Sequence, residues 1–192
     1  VIDMHASVYF RADNYITMHF NVHSSVELNG VDPSTGLSLC TDCHGNIETC
    51  ALFGDGELRP TALFVVPENV NFPVQITLTG LEIRDVSSSG PSAIFHFQRK
   101  ISLPGDLYAE MDLLLFQSCF VHRSTANPHS GPDYGAVSTV NSTTSDGILN
   151  SSAVVLHGDS LVLWLVDSIV EHNSGTAGGV ASAQNDLHVA VK

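Results

Sequence analysis

Three passages of this chain carry the same pattern, and that repetition limits the fold more than any other feature. They are ITLTGLEIRDVSSSG from Ile76, LLLFQSCFVHRSTAN from Leu113 and LWLVDSIVEHNSGTA from Leu163. Each is an apolar, β-branched run without helical spacing that feeds a short polar turn. Aligned, they place Leu81, Cys119 and Ser168 in one column, and Ile83, Val121 and Val170 in the next inward one. Val86, Ser124 and Asn173 share the turn column. After each turn a small-residue strand start is expected: Ser92-Ala93-Ile94, Gly135-Ala136-Val137 and Gly179-Val180-Ala181. The repeats are unequally spaced, so the extra residues must sit in loops between strands.

Similar units that cannot bury an apolar face alone must stack on one another. The expected fold is therefore all-β, a right-handed parallel β-helix solenoid. A β-sandwich is the alternative, since short strands with turn signals also suit it. Other strand-like stretches are Ile2 to Phe10, Met18 to Val22, Val26-Leu28, ALFVV from Ala62, VQITLTGLEI from Val74 to Ile83, AIFHF from Ala93 and AVSTV from Ala136. Turns are read at Asn29-Gly30, at Asp32 to Gly36 and at Gly54-Asp55-Gly56, and a short helix at Leu107 to Met111. Residues 1–192 read as one domain, with less regular coils and a cysteine-rich loop in 1–60 and clearer coils in 61–192. The alternating pattern at Val1, and again in LHVAVK up to Lys192, leads us to expect a segment of a larger protein whose open ends are covered by other segments or chains.

The chain of 192 residues is 43% hydrophobic and only 14% charged, so it covers itself with Ser, Thr, Asn and Gly rather than with Lys and Glu. Twenty acidic residues against 7 basic ones give a net charge of −13. Sequence-independent nucleic-acid binding needs a basic surface, so nucleic acid is not an expected partner. The acidic surplus leaves Ca²⁺ as a weak cofactor alternative. No apolar run is long enough to span a membrane.

Val170-Glu171-His172-Asn173 followed by Gly178-Gly179-Val180 resembles the FxxN and GGAI repeats of polymorphic outer-membrane and adhesin-like β-helix proteins. The similarity extends more broadly to the pectin-lyase-like superfamily. It covers about Val74 to Lys192, with Val170 in place of Phe and no Asn in Val121-His122-Arg123-Ser124. It implies a cell-surface or secreted protein used as scaffold or for adhesion. Comparison of the three passages makes Asn173, Gly178 and Gly179 turn-forming and packing residues of the coil, and no cofactor is expected. The same fold also hosts polysaccharide lyases and glycoside hydrolases.

Cys40-Thr41-Asp42-Cys43-His44 matches the haem c attachment pattern. Cys40, Cys43, His44 and Cys50 are four potential zinc ligands, although adjacent Cys43 and His44 strain a tetrahedral site. In an extracellular protein a disulfide closing this loop is the simpler reading, with Cys40, Cys43, Cys50 and Cys119 as candidates. Cys119 also suits the role of a buried small hydrophobe. Asn141-Ser142-Thr143 and Asn150-Ser151-Ser152 are glycosylation sequons in one polar stretch. His5, His19 and His23 alternate with apolar residues and are expected to face outward.

The same alignment stacks Arg84, His122 and Glu171 in one column and Asp85, Arg123 and His172 in its neighbour. This ladder supports two readings. One is a row of opposite-sign surface pairs on a non-catalytic scaffold that contacts proteins or glycans. The other is a carbohydrate-active site using Asp85, Glu171 and His122, since glycoside hydrolysis needs two carboxyls. The hydrolase signatures of the superfamily are missing, and His157-Gly158-Asp159 is a poor echo of one.

Overall fold

A computed structural model describes residues 1–4, 8–10, 19–31, 51–54, 58–59, 61–98, 111–126, 156–158, 161–175, 180–183 and 187–192. Among these residues there is no helix, and every strand pairing is parallel. The antiparallel pairing of a sandwich is absent from them. The expected helix at Leu107 to Met111 lies outside the described residues except for Met111, which is not helical.

The strands, numbered along the chain, fall into four sheets. A six-stranded sheet contains, in spatial order, β1 (Ile2–Met4), β4 (Val26–Gly30), β8 (Gln75–Thr79), β12 (Asp112–Gln117), β16 (Leu161–Val166) and β20 (Leu187–Val191). One five-stranded sheet contains β2 (Val8–Phe10), β5 (Ala51–Gly54), β9 (Glu82–Arg84), β13 (Phe120–His122) and β17 (Ile169–Glu171). A second holds β3 (Phe20–Asn21), β7 (Phe64–Val66), β11 (Phe95–Phe97), β15 (Leu156–Gly158) and β19 (Ala181–Ala183). The four-stranded sheet is β6 (Leu58–Arg59), β10 (Ser87–Ser88), β14 (Thr125–Ala126) and β18 (Ser174–Gly175). From β4 onward the chain thus visits the four sheets in turn and returns to the first at every fourth strand.

Strand alternation drives one side chain in two inward. Ile76, Leu78, Leu114, Phe116 and Leu163 are fully buried, stacked in register from β8 to β16. Each such burial contributes about 1.5–3 kcal/mol. Phe20, Phe64 and Phe95 stack in another row, with ring centroids 5.2 and 4.7 Å apart. Asp112 is buried as well, and its Oδ1 accepts a hydrogen bond from the Val74 N–H at 2.8 Å.

The repeated columns hold. Leu81, Cys119 and Ser168 are in line, as are Ile83, Val121 and Val170, because Phe120 pairs with both Glu82 and Ile169. Two details differ from the sequence reading. The run VQITLTGLEI is two strands, β8 and β9, broken at Gly80 with φ of 64°. Ser118 (φ 51°) and Asp167 (φ 47°) break the next two passages at the same place. Also, the strand stacked on β11 after the second passage begins at Leu156, not at Gly135-Ala136-Val137, which lies outside the described residues.

A second corner of the same kind follows at Asp85, Arg123 and His172, with φ of 56°, 51° and 52°. Left-handed backbone costs a side-chain-bearing residue about 1–2 kcal/mol. Hydrogen bonds between successive repeats offset that cost. At the first corner Ser168 Oγ accepts from the Cys119 N–H at 3.0 Å and donates to the Val166 carbonyl at 2.9 Å. At the second, Ser124 Oγ accepts from the Val86 N–H, and Asn173 Oδ1 accepts from the Ser124 N–H at 2.9 Å. Asn173 Nδ2 also donates to the Val121 carbonyl at 3.0 Å. Each side chain therefore satisfies backbone groups that the corner withdraws from the sheet ladder. Asn173→Ala should lower the unfolding free energy by about 1–3 kcal/mol in urea titration. Asn173→Asp, which keeps the acceptor and loses the donor, should recover only part of that loss.

Candidate functional site

The chemistry-bearing side chains collect on the outer side of β9, β13 and β17. Ile83 and Val121 point inward and are fully buried, so their neighbours Glu82, Arg84, Phe120 and His122 point outward. Register lines Glu82 up with Phe120 and, one strand further, Ile169, and Arg84 with His122 and, one strand further, Glu171. The ladder column read from the sequence is therefore present.

One of its contacts runs along a diagonal, from His122 to Glu82. His122 Nε2 lies 2.7 Å from Glu82 Oε1, and the His122 ring stacks on Phe120 at 4.0 Å with 12° between planes. His122 is nearly buried, its side chain 9% exposed. Arg84 Nε is 3.7 Å from the same Glu82 oxygen and 4.0 Å from Asp85 Oδ2. Arg123 grips Asp85 through two parallel bonds, Nε to Oδ1 at 2.8 Å and a terminal nitrogen to Oδ2 at 2.9 Å. Glu171 meets His172 at 3.4 Å.

The hydrogen bond from Arg123 holds the Asp85 carboxyl below the usual carboxylate range. Burial opposes this, and the charges of Arg123, Arg84 and His122 add to it. A carboxyl depressed in the folded state stabilises the fold above the unfolded pKa of about 3.9, and that contribution is lost as pH falls through the folded value. Both groups of the pair are at least a third exposed, so it is worth at most about 1 kcal/mol. Acid unfolding should show a loss of this size below about pH 4 that vanishes in Asp85→Asn.

The three residues of the carbohydrate-active reading each bond a different partner: Asp85 with Arg123, His122 with Glu82, and Glu171 with His172. A general acid must hold a proton at working pH, and Asp85 is held ionised. Glu82 is the residue that sequence reasoning missed. It lies two positions before Arg84, hence on the same outer face, and one strand from Phe120, within diagonal reach of His122.

Other sequence candidates are placed as follows. Cys119 is buried, its thiol 3.3 Å from the carbonyl oxygens of Leu78 and Gln117. Asn173 is the corner residue described above. Cys40, Cys43, His44, Cys50, Asn141, Asn150, Gly178 and Gly179 lie outside the described residues. So does His5, whereas His19 and His23 are exposed. Among the described residues no three His, Cys, Asp or Glu side chains are placed to hold a metal ion. Nor is any helix there long and apolar enough to cross a membrane. In comparisons with known proteins, no family matches the chain, and neither a curated protein nor a solved structure is similar to it.

Proposed function

We propose that this chain is a segment of a right-handed parallel β-helix that works as a non-catalytic scaffold in an extracellular or cell-surface assembly. Its repeat pattern resembles that of pectin-lyase-like proteins, which supports the reading. The observation that carries this reading is the mutual use of the outer charges. Asp85 bonds Arg123, His122 bonds Glu82 and Glu171 lies against His172, a pattern of opposite-sign surface pairs that supports a scaffold over the acid–base pair of polysaccharide cleavage.

A stack of parallel strands gives a stiff body with flat faces, suited to contact rather than turnover. One such face supports the reading further. On the outer side of the six-stranded sheet, half-exposed Trp164 stands in register between Leu115 and Ala190. Tryptophan is enriched where protein surfaces bind partners. The sequons at Asn141 and Asn150 and the Cys40–Cys50 loop fit an extracellular setting.

The deciding experiment incubates the 192-residue chain with acidic and neutral polysaccharides and follows new reducing ends and unsaturated products. The scaffold reading expects none. Product formation that Glu82→Gln or Asp85→Asn abolishes would replace it with the carbohydrate-active reading.

A further inference from the structure

We propose that the outer face of the six-stranded sheet binds a neutral glycan chain, with one sugar ring stacked on Trp164 and the chain running across the strands along Gln117, Thr79 and Asn29. The inference rests on the scaffold reading and names its partner as an uncharged polysaccharide.

Alternation puts Trp164 on the outer side, because Leu163 and Leu165 on either side of it are buried. It is 47% exposed although β16 has a strand on each side. Its register neighbours are Leu115 on β12 and Ala190 on β20. Ala190 is too small to cover an indole, so one flank of the ring stays open to solvent. Leu113, Leu115, Val162 and Val166, each half-buried, frame it on the same side. This apolar patch is far smaller than the about 20–30 residues that a stable protein interface takes from each partner. It suits a ligand about one ring wide.

A pyranose ring has an apolar face of C–H bonds and a rim of hydroxyls. The C–H face stacks on the electron-rich face of an aromatic ring, and the rim needs donors and acceptors to its sides. The sheet offers both. Gln117 pairs with Val166 and is therefore the diagonal neighbour of Trp164. Thr79 pairs with Gln117, and Asn29 with Thr79. The three make an amide–hydroxyl–amide row across β12, β8 and β4. Gln117 is exposed, and Thr79 and Asn29 are partly so. Asn29 Nδ2 donates to Glu27 Oε1 at 3.0 Å and to Asp3 Oδ1 at 3.3 Å, which leaves Asn29 Oδ1 to accept from a sugar hydroxyl. Neighbouring strands stand about 4.8 Å apart, close to the length of one sugar residue in an extended chain. Successive sugars would thus meet successive strands.

Charge selects a neutral chain. The row itself is uncharged and ends against the carboxylates of Glu27 and Asp3. The cationic groups on this face, His188 and Lys192, belong to the β20 side of Trp164, away from the row. A uronic-acid chain along the row would bring its carboxylates to Glu27 and Asp3 with no cation between them. Sugar hydroxyls can donate to both. The net charge of −13 disfavours an acidic chain further.

Trp164 is the one tryptophan of the chain, so intrinsic fluorescence reports this face alone. The test titrates the 192-residue chain with β-1,4-linked glucose and mannose hexasaccharides, and with a hexagalacturonate as the acidic comparison. The expected result is a saturable blue shift with at least one neutral hexasaccharide and none with the hexagalacturonate. By equilibrium dialysis, Trp164→Ala should weaken that binding roughly tenfold or more. Gln117→Leu and Thr79→Val, which keep the indole, should each weaken it about threefold to tenfold. All three side chains lie on the outer face, so an unchanged urea midpoint separates lost binding from lost fold. No shift with either neutral sugar, an equal shift with the hexagalacturonate, or binding unchanged in Trp164→Ala would overturn the proposal. So would a blue shift that grows with protein concentration alone, which would assign the face to a second copy. Failure on any of these counts leaves the scaffold reading in place, since that falls only if a polysaccharide is cleaved.

Discussion

Phe95→Ala is expected to lower the unfolding free energy by about 3–5 kcal/mol, the largest loss of any single substitution considered. Phe95 is fully buried in β11. Its ring lies 4.7 Å from Phe64 at 9° and meets Phe116 edge-on at 6.1 Å and 66°. It therefore ties the second five-stranded sheet to the six-stranded one across the interior. Truncation removes both ring contacts, each worth about 0.5–1.5 kcal/mol beyond area, and leaves a void that rigid parallel neighbours cannot collapse into. Domains are stable by only about 5–15 kcal/mol, so the loss is a large share of the total. Phe20→Ala is the control. Phe20 belongs to the same ring stack but is 44% exposed, and its loss should cost far less. Equal effects in urea titration would mean that the rings do not form one graded row.

Gly54→Ala should cost about 2–3 kcal/mol, for a steric rather than an apolar reason. Gly54 ends β5 opposite the corner at Asp85. A Cβ built there would sit 2.4 Å from the Asp85 carbonyl oxygen, closer than real Cβ atoms come. The obstacle is backbone, held by the left-handed conformation of Asp85, so no rotamer change relieves it. The strand must retreat from β9 or the corner must open. Asp85→Asn in the same background should not rescue the loss, because the clash is not with the side chain. Rescue by Asp85→Asn, or a cost under about 0.5 kcal/mol, would show that the strands are not so closely set.

The sequence revealed the stacking but not the corners, and the reason is local. Leu81, Cys119 and Ser168 could be aligned because inward positions repeat the same small or apolar type wherever strands stack. The breaks at Gly80, Ser118 and Asp167 were hidden because apolar residues continue on both sides of them. A phase shift was nonetheless legible. Inward residues run Ile76, Leu78, then Leu81, Ile83, then Val86, Ser88, all buried. Each step of three marks a left-handed residue that turns the chain into the next sheet. Gly54 was read as part of a turn with Asp55 and Gly56, whereas it is the last residue of a strand. Nothing in its own neighbourhood could show that Asp85, distant in sequence, presses on it. The ladder at Arg84, His122 and Glu171 followed from alignment, while the Glu82–His122 bond needed the diagonal geometry of adjacent strands.

The central claim is parallel stacking in the register that sets Ile83, Val121 and Val170 in one row. Nuclear Overhauser contacts measured on the isotope-labelled chain test it directly. The account predicts contacts from the Phe120 amide to the α-proton of Glu82 and from the Ile169 amide to that of Phe120, the register partners that follow from the hydrogen bonds to the Leu81 and Cys119 carbonyls at 3.0 and 2.8 Å. Strong α-proton to α-proton contacts between β9 and β13 or between β13 and β17, the mark of antiparallel neighbours, would contradict it.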